Sequence, residues 1–344
     1  MAAPKLLCDT AGMDTATWLK ARMHGPKGTI PYTLGGSDVS TVFGISPWRT
    51  PLELWRVKAG LDQPDDSANA GSKEMGHLLE PIVAHWYHRK TGNQVITDTG
   101  LYQHAAFPWA LANLDYRFEE PTGLKGILEC KTTTYYKAED WADDQIPYYY
   151  ELQGRFYMAV MDIDVCDFCC MWGTNPDTDV VVRRIHRDLN IEAMIFGELK
   201  AFIDSLASGN PPTMQGVAPA LALKALARIY AKTIPAPIPV EFGTSYERSL
   251  RRIAQLQGEI TDLNELIKTK KEEVDARSVR VVEAMQEYDR GQLILEKDRI
   301  LVENKTRTTK RPDSDLLKKQ YKSVYDDVLK TTVSRSIKVT VEAI

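Results

Sequence analysis

The sequence is poor in cysteine, with five in 344 residues, an odd number. A disulfide framework is not expected, and a reducing cytoplasm suits the chain best. No run of 18 or more apolar residues occurs, so neither a membrane span nor a membrane partner is expected. Residues 1–7 lack the apolar core of a secretory signal. Charge of one sign is also missing: 43 Lys and Arg stand against 47 Asp and Glu, a net −4. What is present is ordinary for a globular chain, 43% hydrophobic and 26% charged residues. That composition buries a sizeable core and excludes a disordered protein. The length fits two or three domains at ~150 residues each.

The charge is uneven. Residues 244–344 hold 21 Lys and Arg against 18 Asp and Glu, and residues 1–243 hold 22 against 29. A basic tail beside an acidic body is compatible with a nucleic-acid enzyme whose carboxylates hold metal ions, although charge alone decides little.

Apolar spacing, caps and breakers predict helices over 12–24, 38–43, 51–59 and 72–91. Short strands follow at 94–97, 100–104, 110–119 and 126–132, then a helix at 147–162, strands at 165–172 and 179–187, and a helix at 190–208. Helices, strands and helices around one core give an α+β or mixed α/β class. The expected division is a core over 1–212, a helix and proline-rich linker over 213–240, and a C-terminal region over 241–344. That last region reads as a long helix over 246–288, a β-hairpin at 292–304 turning at Asp298-Arg299, and a final strand at 336–341. The long helix carries a narrow apolar seam, Ile253, Leu256, Ile260, Leu263, Ile267, Val274 and Val281, broken by Lys270 and Arg277. The expectation is a helix packed on its own chain rather than a self-assembly helix.

The chemistry is concentrated at Leu114-Asp115-Tyr116 and Ile127-Leu128-Glu129-Cys130-Lys131. Side chains two apart on a strand share a face, so Glu129 and Lys131 project together while Leu128 and Cys130 turn to the core. Asp115 from a neighbouring strand reaches the same place. Two carboxylates and an ammonium on one sheet face suit a Mg²⁺ site for phosphodiester hydrolysis, with the lysine orienting or deprotonating water or offsetting charge. In isolation the triplet is more often a salt-bridged surface ladder. Three further features change the balance. Glu80 lies amid Leu79, Val83 and Trp86, where a buried charge needs a partner or a metal. Gln153 and Tyr157 share a helical face. Gly35-Gly36-Ser37-Asp38 opens a helix in a way that suits an anion.

These residues carry a resemblance. Gly35-Gly36-Ser37-Asp38, Gly44-Ile45-Ser46-Pro47-Trp48-Arg49-Thr50-Pro51, Leu54-Trp55, Gly76-x-x-Leu79-Glu80-Pro81, Asp115, Glu129-Cys130-Lys131-Thr132 and Gln153-x-x-x-Tyr157 together resemble the YqaJ-type viral recombinase family, which is related to lambda exonuclease and, more distantly, to RecB-type nuclease domains. The likeness covers roughly residues 14–208. It implies a PD-(D/E)xK restriction-endonuclease-like core, a mixed central sheet flanked by helices. It also implies an exonuclease that degrades one strand of linear duplex DNA from its end, usually 5′ to 3′, leaving a 3′ single strand for a phage annealing protein. By the same resemblance, Glu80, Asp115, Glu129 and the Cys130 carbonyl would hold Mg²⁺ or Mn²⁺, two ions per site. Lys131 would be the catalytic lysine, and Gln153 and Tyr157 would complete the site. Ser37, and with less support Arg22, would receive the 5′-phosphate. Ring-shaped trimers occur among such relatives. An endonuclease on the same core and a non-cleaving DNA- or partner-binding module are the alternatives. Two departures stand out: an extra acid, Glu151, and an apparent insertion at 25–33 between Arg22 and Ser37.

The remaining signals read as structural. Cys166, Cys169 and Cys170 fit buried small hydrophobes better than ligands of an iron–sulfur cluster shared with Cys8, since adjacent strand residues face opposite ways. His85 and His88 lack the partners that zinc needs. Residues 305–322 hold seven Lys and Arg against two acids, a DNA-tracking segment or a solvated face in equal measure. Tyr148-Tyr149-Tyr150 and Trp141 stack on bases or anchor a helix, the anchor being commoner.

Overall fold

The computed structural model describes residues 3–63, 70–230, 242–294, 299–303 and 314–323. The chain divides into two compact units, residues 1–229 and 230–344.

In the first unit, strand β1 (Lys5–Asp9) and helices α1 (Thr15–His24), α2 (Gly36–Val42), α3 (Pro51–Lys58) and α4 (Ala70–Thr91) precede the main strands. Next come β2 (Gln94–Thr97), β3 (Gly100–Gln103), β4 (Leu111–Asn113), β5 (Tyr116–Glu119) and β6 (Lys125–Thr132). Helix α5 (Tyr148–Met161), strands β7 (Val165–Met171) and β8 (Val180–His186), and helices α6 (Leu189–Ser208) and α7 (Pro219–Ile229) complete it. The helix starts have chemical causes. Asp14 accepts from the Thr17 N–H, Thr50 from the Glu53 N–H with Pro51 behind it, and Asp188 from the N–H groups of Asn190 and Ile191.

The strands form two sheets. One has order β1-β3-β4, and the other β2-β5-β6-β7-β8. Only β6 and β7 of the larger sheet run parallel, joined through α5; the other neighbours are antiparallel. This is a mixed central sheet flanked by helices. One face of it, with Ile127, Cys166, Phe168 and Cys170, packs on α5 and α6, where Phe156 and Phe196 stack at 5.7 Å. The opposite face, with Leu128, Cys130, Val165 and Cys169, packs on Val83, Ala84 and Tyr87 of α4.

One expected strand is broken in a telling place. The pattern over 110–119 suggests one strand, but β4 pairs with β3 in the small sheet and β5 pairs with β2 and β6 in the large one. The chain changes sheets at Leu114-Asp115, so Asp115 stands at a strand mouth and not inside a ladder. Strand β1 was not expected at all.

The second unit contains α8 (Glu247–Met285), strands β9 (Arg290–Ile294) and β10 (Arg299–Glu303), and α9 (Ser314–Gln320). The two strands pair antiparallel. The 39 residues of α8 span about 58 Å at the α-helical rise. The pattern suggested a buried seam; among the described residues Leu256, Ile260, Leu263, Ile267, Val274 and Val281 are exposed, and Met285 is the buried residue of the helix. Ion pairs Glu247–Arg251 and Glu273–Arg277, each one helical turn apart, line its surface. The hairpin turn at Asp298, the linker prolines, the first half of the basic segment 305–322 and the strand expected at 336–341 fall, wholly or in part, outside the described residues. Among the described residues no helix is long and apolar enough to cross a membrane.

Candidate active site

Strand β6 is buried on both faces, and its period of two decides what goes where. Leu128 and Cys130 lie in the core beneath α4. Glu129 and Lys131 point the other way, toward α5, and Glu129 is 0% exposed. A carboxylate so buried needs donors. One oxygen has them: Glu129 Oε2 accepts from Lys131 Nζ at 2.8 Å and from Gln153 Nε2 at 2.9 Å. The other, Oε1, is buried with no hydrogen-bond partner. Asp115 reaches in from the sheet change. Its Oδ2 accepts from the Cys130 N–H at 2.9 Å and lies 3.8 Å from Lys131 Nζ. Lys131 is thus clasped between two acids.

Glu80 comes from the other side of the sheet, on α4. Pro81 interrupts the backbone ladder one residue later. The Glu80 carboxylate meets His77 Nδ1 at 2.9 Å. Burial and then the nearby Asp115 raise its pKa, with His77 and Lys131 opposing. Burial and then Asp115 likewise push Glu129 up, to about 8, against the pull of Lys131. Burial works against the Lys131 ammonium, but Glu129 and Asp115 outweigh it and keep the amine protonated, well above its ordinary range. Held between the two acids, the Lys131 ammonium balances their charge.

Gln153 also lies 3.3 Å from the Tyr157 hydroxyl. The Tyr157 ring lies against Gly36, where a Cβ would come within 2.5 Å of it; at Gly35 a Cβ would meet Arg22 Nη2 at 2.6 Å. The two glycines therefore let α2 close on α5 and α1. Arg22 Nη2 donates to Ser37 Oγ at 3.2 Å and its guanidinium lies 4.7 Å from the Trp18 ring centre. Residues 25–33 loop out without separating Arg22 from Ser37, and Thr33 Oγ1 donates to the Arg22 carbonyl. Beneath them, burial opposes the Asp38 charge, but Lys58 at 3.0 Å and Arg22 hold its carboxyl below the usual range.

All nine expected positions thus lie in one region, with Tyr157 between the carboxylates and the Arg22–Ser37 pair. Glu151 turns away to Arg155, at 2.6 Å. Three further neighbours stand beside these residues, Tyr150 being one of the tyrosines expected to stack on bases or anchor a helix. His77 precedes Glu80 by three residues. Tyr150 shares a helical face with Gln153 and Tyr157, and its ring centre lies 5.2 Å from Lys131 Nζ. Trp48 packs on Tyr149 and Tyr150. For Tyr150, the i, i+3, i+7 spacing was the available signal.

The chemistry of the donor set fits a hard divalent cation: three carboxylates on two elements of the sheet region and one helix, with a buried oxygen lacking any donor. Among the described residues, no three His, Cys, Asp or Glu side chains already stand as a cation cage, and the protonated Lys131 neutralises the acids instead. The cysteines do not converge: Cys166 and Cys170 share one face of β7, Cys169 faces the other, and Cys8 lies in the small sheet. His88 is engaged by the Asn93 carbonyl at 2.7 Å.

Residues 17–164 match the YqaJ-like viral recombinase domain. The chain is 32% identical over 215 residues to the uncharacterized protein YqaJ of Bacillus subtilis (strain 168), covering 62% of this chain and 63% of that protein. Among solved structures it is similar to an alkaline exonuclease from Laribacter hongkongensis, with TM-score 0.46 and 21% identity, covering 57% of this chain and 94% of that one. It is also similar to a phage-related exonuclease from Haemophilus somnus 129PT, with TM-score 0.39 and 13% identity, covering 52% and 96%. Strand β6, the sheet change at Asp115, and the helices that bring Glu80 and Gln153 to them all fall within residues 17–164, the span that matches the YqaJ-like viral recombinase domain.

Proposed function

We propose that the chain is a divalent-metal-dependent exonuclease acting on the ends of linear double-stranded DNA, 5′ to 3′. The observation that carries this reading is the clasp of Lys131 between Asp115 and Glu129, with a Glu129 oxygen left without a donor. A buried carboxylate oxygen with no protein donor is a fitting ligand for a hard divalent cation. Glu80, Asp115, Glu129 and the Cys130 carbonyl would hold Mg²⁺ or Mn²⁺, one ion or two. When bound, the cation supplies Lewis-acid polarisation of the scissile phosphate.

The chain's own residues supply the rest. Lys131, held protonated, faces the charge that builds on the phosphoryl oxygens as water attacks. Gln153 fixes the Glu129 carboxylate and leaves its other oxygen free. Tyr157 walls the site toward α2. Arg22 and Ser37 offer a cation and a hydroxyl to a terminal 5′-phosphate, and their placement one ring away from the carboxylates supports action at an end. A viral recombinase domain fits the product, a 3′ single strand for an annealing protein. Assembly of several copies, by resemblance a ring of three, would encircle the duplex.

The test uses linear duplex labelled at the 5′ or the 3′ end, together with closed circular duplex, each with and without Mg²⁺. The expected result is Mg²⁺-dependent loss of 5′ label as mononucleotides with circles intact. Cut circles would assign an endonuclease, and the absence of Mg²⁺-dependent turnover would assign a binding module.

A further inference from the structure

The loop between α2 and α3 carries Trp48 at the edge of this site. It is a built loop. The N–H groups of Ile45 and Ser46 both donate to the Ser40 carbonyl, at 3.1 and 3.0 Å, and the Trp48 N–H donates to Ser46 Oγ at 3.3 Å. Half of the Trp48 surface is exposed. Exposed aromatics are common, and most mean nothing. Trp48 differs in what lies beneath it. Its ring packs edge-on against Tyr149, with centroids 5.2 Å apart and planes at 84°, and lies 6.1 Å from Tyr150. The Tyr150 ring in turn lies 5.2 Å from the Lys131 ammonium. The exposed indole is therefore no farther from the catalytic amine than those two steps laid end to end, within reach of the nucleotide next to the reacting phosphate or the one after it.

We infer that Trp48, backed by Tyr149 and Tyr150, is a stacking site for an unpaired nucleobase beside the scissile phosphate. The inference rests on the nuclease reading and adds to it a residue that touches a base. The physical case is that a base leaving the duplex loses its stacked neighbours, and an aromatic plane replaces one of them without regard to sequence. The tyrosines hold the indole in place, so little side-chain freedom is lost when the base arrives. Phosphate contacts at Arg22, Ser37 and Lys131 carry no such preference for an unpaired base.

The experiment is a double-mutant cycle between Trp48 and the base, read by binding in EDTA so that no cleavage is needed. The probe is a 5′-phosphorylated duplex with frayed terminal pairs, carrying 2-aminopurine at each of the first three 5′ nucleotides in turn, or an abasic site there. Full-length protein is expected to quench 2-aminopurine at one of these positions. Trp48→Ala is expected to relieve the quenching and weaken binding about tenfold, Trp48→Phe to keep most of both, and an abasic site at that nucleotide to erase the difference between wild type and Trp48→Ala. Equal quenching by wild type and Trp48→Ala overturns the inference. So does a binding defect that persists undiminished on abasic DNA, which would assign Trp48 to the fold or to a protein partner. A chain that stacks the base in EDTA but never cuts would sink the nuclease reading alone. A chain that cuts without Trp48–base coupling would sink this inference alone.

Discussion

The central sheet holds two buried carboxylates on neighbouring strands, and they differ in one respect. Asp167 on β7 faces α4. It accepts from the Tyr87 hydroxyl at 2.7 Å and from Arg184 at 2.6 and 2.8 Å, while Asn93 donates to the Tyr87 hydroxyl and Arg184 reaches on to Glu120. Glu129 on β6 faces α5, with two donors on one oxygen and none on the other. A fully met buried charge is a fastener, pinning α4 to the sheet seven residues beyond Glu80. A half-met one is left with bonding capacity, met by a proton, which the raised Glu129 pKa favours, or by a cation that binds there.

The sharpest way to break this contrast is to neutralise each acid. Glu129→Gln is expected to lower cleavage about a thousandfold or more without lowering the thermal midpoint. Asp167→Asn removes the buried carboxylate shared by Arg184 and the Tyr87 hydroxyl, leaves Arg184 with Glu120, and is expected to cost about 3 kcal/mol of stability, with activity lost only as the protein unfolds. Melting curves and initial rates on labelled duplex check both, and a stability loss in Glu129→Gln as large as in Asp167→Asn would erase the distinction. Lys131→Ala comes next: cleavage is expected to fall about 10²–10³-fold while binding of duplex ends in EDTA persists, measured by anisotropy.

A pH series sharpens the comparison further. The Glu129 pKa is raised from 4.5 to about 8. Between those values the folded state holds a proton that the unfolded chain releases, so the wild type loses stability as pH rises through that window. With divalent ions chelated, urea midpoints of wild type are expected to fall relative to Glu129→Gln from about pH 4.5 to about pH 8, then to run parallel. Midpoints that rise with pH over this range would give the carboxyl the opposite shift. The smallest effect is assigned to Gln153→Ala, about tenfold in rate, the worth of one oriented hydrogen bond.

Much of this site was readable from residue order because strand period is local. Glu129 and Lys131 share a face whatever surrounds them, and Gln153 and Tyr157 share a helical one. What could not be read depended on distant chain. The strand pattern over 110–119 hides the sheet change at Asp115, since side-chain pattern marks extended chain but not which strand it pairs with, and β4 and β5 choose different partners. Arg22 meets Ser37 only because residues 25–33 loop out and two glycines allow close approach. Trp48 reaches the site through tyrosines a hundred residues away. The seam of α8 misled for the opposite reason: a narrow apolar stripe states that burial is favourable but not against what, and among the described residues it is exposed.

Calorimetric titration of Mn²⁺ into the DNA-free protein tests the central claim most directly. The account predicts saturable binding by the wild type that weakens at least tenfold in Glu129→Gln and in Asp115→Asn. Equal binding by all three proteins would contradict it.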